Sequence, residues 1–170
     1  MWRLRNYRDK TGQFCKHHVM DEKEAHVPFR PTPRDFPGFP MPTSVPQGMR
    51  LELSRSRIKD GQDENFGSWM ATLNERYEEC EASLAAQRAA LEATFRHVEA
   101  DGSIWIYHLS LVGENGGGLD MQQEIDAVHE AASRQAKIPG WEELEPKFLL
   151  MPDHLKASMV HWTQHGEASS

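Results

Sequence analysis

Proline sets the boundary of any fold in this chain. Seven of its ten prolines lie between residues 28 and 46. Proline fixes φ and lacks an amide proton, which excludes helix interiors and central strands. From Arg50 onward the chain alternates strand and helix patterns. We therefore predict a proline-rich, largely disordered leader at 1–48, a folded domain at 49–165 and a tail at 166–170.

Charge divides the chain at the same boundary. Residues 1–48 carry eight Lys/Arg and five Asp/Glu, so +3, whereas residues 49–170 carry eleven and twenty-one, so −10. An acidic domain repels phosphate backbones and anionic membrane surfaces, so neither nucleic acid nor a membrane is an expected partner. Two cysteines, Cys15 and Cys80, suggest no disulfide framework and fit a reducing compartment. The sequence predicts a cytoplasmic protein.

Hydrophobic periodicity predicts the elements of the domain. The clearest pattern runs from Asp63 to about Arg88, where Phe66, Trp69, Leu73 and further apolar residues recur every three or four positions. Asp101-Gly102 indicates a hairpin turn. The predicted elements are, in order, a strand at 50–58, a helix at 63–88, strands at 91–98 and 104–112, a helix at 119–137, a strand at 147–151 and a short last helix at 152–162.

The first six of these elements have the order β-α-β-β-α-β. That order is typical of the split βαβ, or ferredoxin-like, α+β domain, in which an antiparallel sheet has both helices on one face. The other face then has no helix to cover it, and a sheet face left open must meet water or another chain. A two-fold homodimer packed sheet against sheet would cover that face.

Particular stretches resemble a known group. Ser56-Arg57-Ile58-Lys59-Asp60-Gly61, Trp69-Met70 and Leu73-Asn74-Glu75-Arg76, followed by a hairpin, look like a family of small uncharacterised bacterial proteins. That family belongs to the dimeric α/β-barrel class of ferredoxin-like folds. The resemblance covers roughly residues 49–135 and implies the architecture more than the chemistry. The class includes cofactor-free monooxygenases, cyclases, isomerases, haem-degrading enzymes and plain ligand binders, so fold alone does not choose among them.

His108 is the leading candidate for catalysis. It lies inside the most apolar strand and shares a face with Ile106, where an imidazole could act as general base or acid near neutral pH. The alternative is a histidine satisfied by a neighbouring hydrogen bond. Arg55 and Arg57 lie on the first strand, which neighbours the third in a ferredoxin-like sheet. An Arg–His pair facing a pocket would orient a carboxylate or an enolate.

A ligand cavity is expected between the sheet and the two helices. Its predicted lining is His108 together with Trp69, Leu73, Phe95, and Trp105 or Tyr107. Glu124 and His129 on the second helix are five residues apart and are predicted to be solvated. His161 and His165 have an i, i+4 spacing, but no HExxH context surrounds them, so no metal and no cofactor are expected. Gly116-Gly117-Gly118 indicates a mobile loop and a possible lid.

Two functions follow as hypotheses. The first is binding of a small aromatic or polyketide-like molecule, with cofactor-free isomerisation, cyclisation or oxygenation as the chemistry if the protein is an enzyme. In that scheme His108 moves the proton, and Arg55 or Arg57 stabilises the anion. The alternative is a non-catalytic interaction protein, whose open sheet face forms the dimer and whose proline-rich leader recruits a partner. The size of the internal cavity discriminates between the two.

Overall fold

The computed structural model describes residues 28–167, which form an α+β fold of one four-stranded antiparallel sheet and four helices. No helix within these residues is long and apolar enough to cross a membrane. In chain order the elements are β1 (Met49–Arg57), α1 (Asp63–Glu75), α2 (Tyr77–Gln87), β2 (Ala89–Val98), β3 (Ile104–Gly113), α3 (Glu124–Ala136), β4 (Glu142–Leu144) and α4 (Asp153–His165).

The strands lie side by side in the order β2-β3-β1-β4. β3 is central and pairs antiparallel with both β1 and β2, while β4 adds three residues to the other side of β1. The predicted hairpin between β2 and β3 forms, and Gly102 takes the positive φ of +79° that its turn requires. The antiparallel pairing of β3 with both neighbours means that β1 and β2 run in the same direction on either side of it.

Alternation along the strands divides the sheet into two faces. The face that packs against α1 and α3 is here called the helix face. It contains Ile106, every second residue of β3 on either side of it, and the residues of β1 and β2 that pair with these. Its members include Glu52, Ser54, Ser56, Glu92, Thr94, Arg96, Ile104, Ile106, His108 and Ser110. The opposite face carries Leu51, Leu53, Arg55, Arg57, Leu91, Ala93, Phe95, His97, Trp105, Tyr107, Leu109 and Leu111.

The helix face carries one of two hydrophobic cores. Phe66 and Trp69 of α1 and Ala136 of α3 pack with Ile106 and Ile58, and all five are buried. The aromatic rings of Phe66 and Trp69 meet edge to face at 5.8 Å. Because this core lies toward the Ile106 end of the sheet, the other end of the same face is left to polar side chains.

The opposite face carries the second core at one end, where α4 packs. Leu111 and Met49 are buried there with Val45 of the proline-rich segment, and Met159 and Val160 of α4 pack against them. Helices therefore do not lie on one face only: α1 and α3 cover the helix face, and α4 covers part of the other.

The proline-rich segment packs on the domain through several contacts. The ring of Phe29 meets Trp105 edge to face at 5.6 Å, and the amide of Thr32 donates to the carbonyl of Trp141 at 2.7 Å. The amide of Leu149 donates to the hydroxyl of Ser44. The sequence predicts a largely disordered leader at 1–48, whereas residues 28–48 pack on the domain through these contacts. Residues 1–27 and 168–170, which include most of the predicted tail, lie outside the described residues.

Two elements differ from the sequence prediction. The single long helix is broken at Arg76, whose backbone leaves the helical region at φ −104° and ψ 35°. The fourth strand lies at Glu142–Leu144 and not at 147–151. Leu149 and Met151 pack into the second core, which explains the apolar alternation there, but the segment pairs with no strand among residues 28–167.

Candidate functional site

His108 occupies the polar end of the helix face. It lies in the β3 register between Ser54 of β1 and Thr94 of β2, and its Nδ1 is 3.4 Å from the Thr94 hydroxyl. The ring is half-buried, whereas Thr94 and Glu92 beside it on β2 are exposed. The helices therefore leave the β2 side of this face open, and a solute could approach His108 from there.

A second histidine faces the sheet from α3. His129 packs edge to face on Trp69, with ring centroids 5.1 Å apart. Its pKa is lowered to about 4, mainly by burial and also by Lys137 and His108, against the opposite effect of Asp126 and Glu130. Burial and Lys137 also lower the pKa of His108 below its usual value. Both imidazoles are therefore neutral at physiological pH and able to accept a proton.

Lys137 supplies a cation beside the two histidines. It follows the last residue of α3, and burial lowers the pKa of its amine. A half-buried amine favours an anionic partner, since the partner restores what the ammonium loses by leaving water. His108, His129 and Lys137 form the group that we call the basic cluster.

Carboxylates border the basic cluster. Glu52 lies on the helix face one pleat from Ser54 and raises the pKa of His108, against the lowering that burial causes. Asp126 is buried in the first turn of α3 and accepts the amide proton of Asp120 at 2.7 Å. Although Glu92 keeps contact with solvent, neighbouring protein atoms displace part of its water and raise its pKa, and Asp126 adds to that rise. The arrangement offers neutral bases, one ammonium group and flanking acids.

The arginines predicted to assist His108 lie on the other side of the sheet. Arg55 is paired across the sheet with Tyr107, and its neighbour Ser54 is paired with His108. The Arg55 guanidinium bonds to Glu142 and lies 4.4 Å from the centre of the Trp105 ring. Arg57, on the same face, approaches Asp60 at 3.5 Å. The predicted Arg–His pair does not form, because neighbouring residues of a strand point to opposite faces.

The predicted ligand-lining residues are likewise divided. Trp69 and Leu73 belong to the core on the helix face, on the same side of the sheet as His108. Trp105, Tyr107 and Phe95 belong to the opposite face. Trp105 is fully buried, with its indole N–H donating to Ser103 at 3.0 Å, and Phe95 is 57% exposed. No single cavity between the sheet and the helices holds all five.

Sequence reasoning missed His129 and Lys137. His129 was predicted to be solvated, yet it follows buried Ile125 by four residues and precedes buried Ser133 by four, so it lies on the buried face of α3. That spacing was the signal that could have found it. Lys137 gave no comparable signal, because its place depends on where α3 ends against the sheet.

No metal centre is built within residues 28–167, where no three His, Cys, Asp or Glu side chains are grouped to hold an ion. The rings of His161 and His165 stack on each other at 4.4 Å near the end of α4. The Nδ1 atom of His165 lies 2.9 Å from the carbonyl of His161, and this contact ties the two residues to their own helix.

The fold and the basic cluster define an α+β protein with a four-stranded antiparallel sheet and a polar, histidine-bearing site on its helix face. The chain belongs to DUF6176, a family of unknown function, whose profile matches residues 49–157. The match begins at the first residue of β1, and it contains the whole basic cluster while leaving out the proline-rich segment. No curated protein and no solved structure matches this chain.

Proposed function

We propose that this protein binds a small organic molecule against the basic cluster and moves a proton on it without a cofactor. The observation that carries the proposal is the pair of imidazoles kept neutral beside an amine. His108, which adjoins the open β2 side, is the proton-transferring group. Isomerisation, cyclisation and oxygenation through an enolate are the reactions that such a group serves.

Lys137 takes the role that the sequence assigned to Arg55 and Arg57. An enolate or carboxylate formed beside His108 needs a positive group on the same side of the sheet. Lys137 lies close enough to lower the pKa of both histidines by its charge, whereas the arginines are directed to the other face. The aromatic contact on this side would come from Trp69, with Leu73 beside it in the core.

Native mass spectrometry of the purified full-length chain tests the proposal. We expect a reproducible adduct of small-molecule mass that is lost in His108→Gln. His97→Gln is the matched control, because His97 lies on the same sheet but on the opposite face, where it is exposed. An adduct retained by His108→Gln, or lost equally in both variants, would remove His108 from the site.

We also propose that the fold is the split βαβ arrangement and that two copies pair through the opposite face. The strand order and the shared direction of β1 and β2 support the first part. The second rests on an apolar patch between α4 and Phe29, bordered by the Arg55–Glu142 ion pair and formed by Leu53, Leu91, Ala93, Phe95, Tyr107 and Leu109. In a domain of net charge −10, such a patch is where a second copy approaches with least repulsion.

The interaction-protein alternative has support from the same patch but less from the leader. Phe95 of the patch is 57% exposed, and outside the patch Phe148 and Leu150, which follow β4, are 67% and 81% exposed, which favours contact with another chain. Residues 28–48, however, are held by Trp105, Trp141 and Leu149. That part of the leader is occupied within its own chain, so recruitment of a partner through it would first require its release.

We also propose that the protein is cytoplasmic and that it does not bind nucleic acid. Cys80 is a free thiol, which supports a reducing, cytoplasmic compartment. The negative charge of the domain supports the proposal that nucleic acid is not a partner.

A further inference from the structure

A cleft separate from the basic cluster lies where the proline-rich segment crosses the β1–β4 side of the sheet. Residues 32–41 form one wall, and residues of β1 and β4 with Trp141 form the other. Its volume is about 200 Å³. That is below the range of about 300–1,000 Å³ for drug-sized ligands, so the cleft suits a molecule of one ring.

The walls of the cleft are aromatic. Phe36 and Phe39 meet edge to face at 4.9 Å, and both line the cleft together with Trp141. Trp141 is 51% exposed, and its indole N–H donates to Glu143 at 2.7 Å, which fixes the ring. Held aromatic rings around a narrow space favour a flat apolar body.

Two arginines in the lining retain unused donors. The Nε atom of Arg50 donates to Glu52 at 2.8 Å, but its terminal nitrogens make no hydrogen bond within residues 28–167. Arg34 lines the same cleft and forms no ion pair in that part of the chain. A guanidinium with a free fork of donors binds carboxylates in a bidentate way.

Gly38 lies close against the guanidinium of Arg50. Its φ is +83°, and a Cβ at this position would lie 2.5 Å from a terminal nitrogen of Arg50. The backbone therefore lies directly over the guanidinium, as only glycine permits. The proline-rich segment and β1 are fitted to each other at this point.

The acidic side chains of the lining do not cancel this positive character. Glu52 is engaged by Arg50, and Glu143 accepts the indole N–H of Trp141. An anion in the cleft would therefore meet two arginines, one of them without an ion pair among residues 28–167, and two carboxylates that each already accept a hydrogen bond.

We propose that the cleft between residues 32–41 and the β1–β4 side binds a small aromatic carboxylate, with the ring between Phe36, Phe39 and Trp141 and the carboxylate on Arg34 and Arg50. This goes beyond the function proposed for the basic cluster, because it assigns a second ligand site formed partly by the segment that precedes the family match.

The test is titration of the full-length chain with benzoate, followed by amide chemical shifts, with benzylamine as the probe of opposite charge. We expect benzoate to shift residues 32–41 and benzylamine to bind more weakly. Arg34→Gln should weaken benzoate by about tenfold or more, since it removes charge-assisted hydrogen bonds to the carboxylate. Arg134→Gln, an exposed arginine of α3 paired with Glu130, is the matched control and should bind as the wild type does.

Gly38→Ala provides a second variant that alters the cleft without removing a charge, and it should also weaken benzoate. His108→Gln should leave benzoate affinity unchanged, so this proposal can fail without affecting the first. Absence of benzoate binding, equal or tighter binding of benzylamine, or an Arg34→Gln variant with wild-type affinity would overturn it.

Discussion

His129 of α3 packs edge-on against Trp69 of α1, with ring centroids 5.1 Å apart and ring planes at 84°. The contact belongs to a histidine whose pKa burial lowers to about 4. It joins the hydrophobic core of the helix face to the basic cluster, so the charge state of the cluster and the stability of the domain should change together.

The first prediction concerns stability against pH. An unfolded histidine binds a proton near pH 6.5, and folded His129 resists protonation until about pH 4. The contribution of His129 to the free energy of unfolding is therefore complete above pH 6.5. It is lost as the pH falls toward 4, and the free energy of unfolding then drops by about 3 kcal/mol at most. Urea unfolding at pH 7 and pH 4.5 measures it.

His129→Phe keeps a ring against Trp69 but cannot titrate, so this loss should become smaller. His97→Gln, an exposed histidine on the opposite face, should retain the wild-type pH dependence. An unchanged pH dependence in His129→Phe would contradict the assignment.

The second prediction concerns the charge of Lys137. Its amine lowers the pKa of both His108 and His129, so Lys137→Met should raise both pKa values. Histidine titration by NMR measures this directly. Lys147→Met, an exposed lysine after β4, should leave both values alone. Histidine pKa values that stay fixed in Lys137→Met would show that the amine is too distant to act on a bound anion.

The third prediction separates the two faces of the sheet. Arg55→Gln removes the partner of Glu142, whose side chain is only 13% exposed, and should cost about 2 kcal/mol of stability. The same change should not move the pKa of His108, which lies on the other face. Denaturation and histidine titration of one variant test both statements. A large shift at His108 would mean that the arginine acts through the sheet after all.

The fourth prediction concerns the apolar patch of the opposite face. Phe95 is 57% exposed, so Phe95→Asp should cost the monomer little but should split a dimer held through that patch. Analytical ultracentrifugation gives the result. Tyr77→Asp, at a comparably exposed aromatic of α2, should remain dimeric. A wild-type chain that is already monomeric would refute the pairing.

The fifth prediction concerns the proline-rich segment. Val45 is buried in the second core and Phe29 packs on Trp105, so a chain beginning at Met49 should lose roughly 3 kcal/mol at 1.5–3 kcal/mol per buried side chain. The comparison uses urea midpoints of the full chain and the shortened one. Equal midpoints would mean that the segment contributes nothing to the fold.

Much of the fold could be predicted from local pattern. β1, the β2–β3 hairpin and α4 follow alternation, the Asp-Gly turn and helical spacing closely. β4 could not be predicted, since Glu142-Glu143-Leu144 has no apolar alternation and owes its place to pairing with β1. The break at Arg76 was missed because local sequence does not show it. The side chain of Arg76 makes ion pairs with Glu79 and with Glu124, and Glu124 is 48 residues away in the chain.

The candidate site was only partly predictable for a related reason. His108 could be identified from the sequence, because it is a polar residue in an apolar strand. Whether Arg55 or Ser54 lies beside it depends on register, and a shift of one residue exchanges the two faces. Local sequence contains the alternation but not the pairing partner. Lys137 and His129 join the cluster only through the packing of α3 on the sheet.

The occupied side of β4 limits how this molecule can assemble. Thr32 bonds to both Trp141 and Glu143, and the amide of Arg30 bonds to Glu142, so the proline-rich segment covers that edge of the sheet. Strand-by-strand growth into a filament needs two open edges on every copy. With only the β2 edge open among the described strands, pairing by edges would stop at two copies.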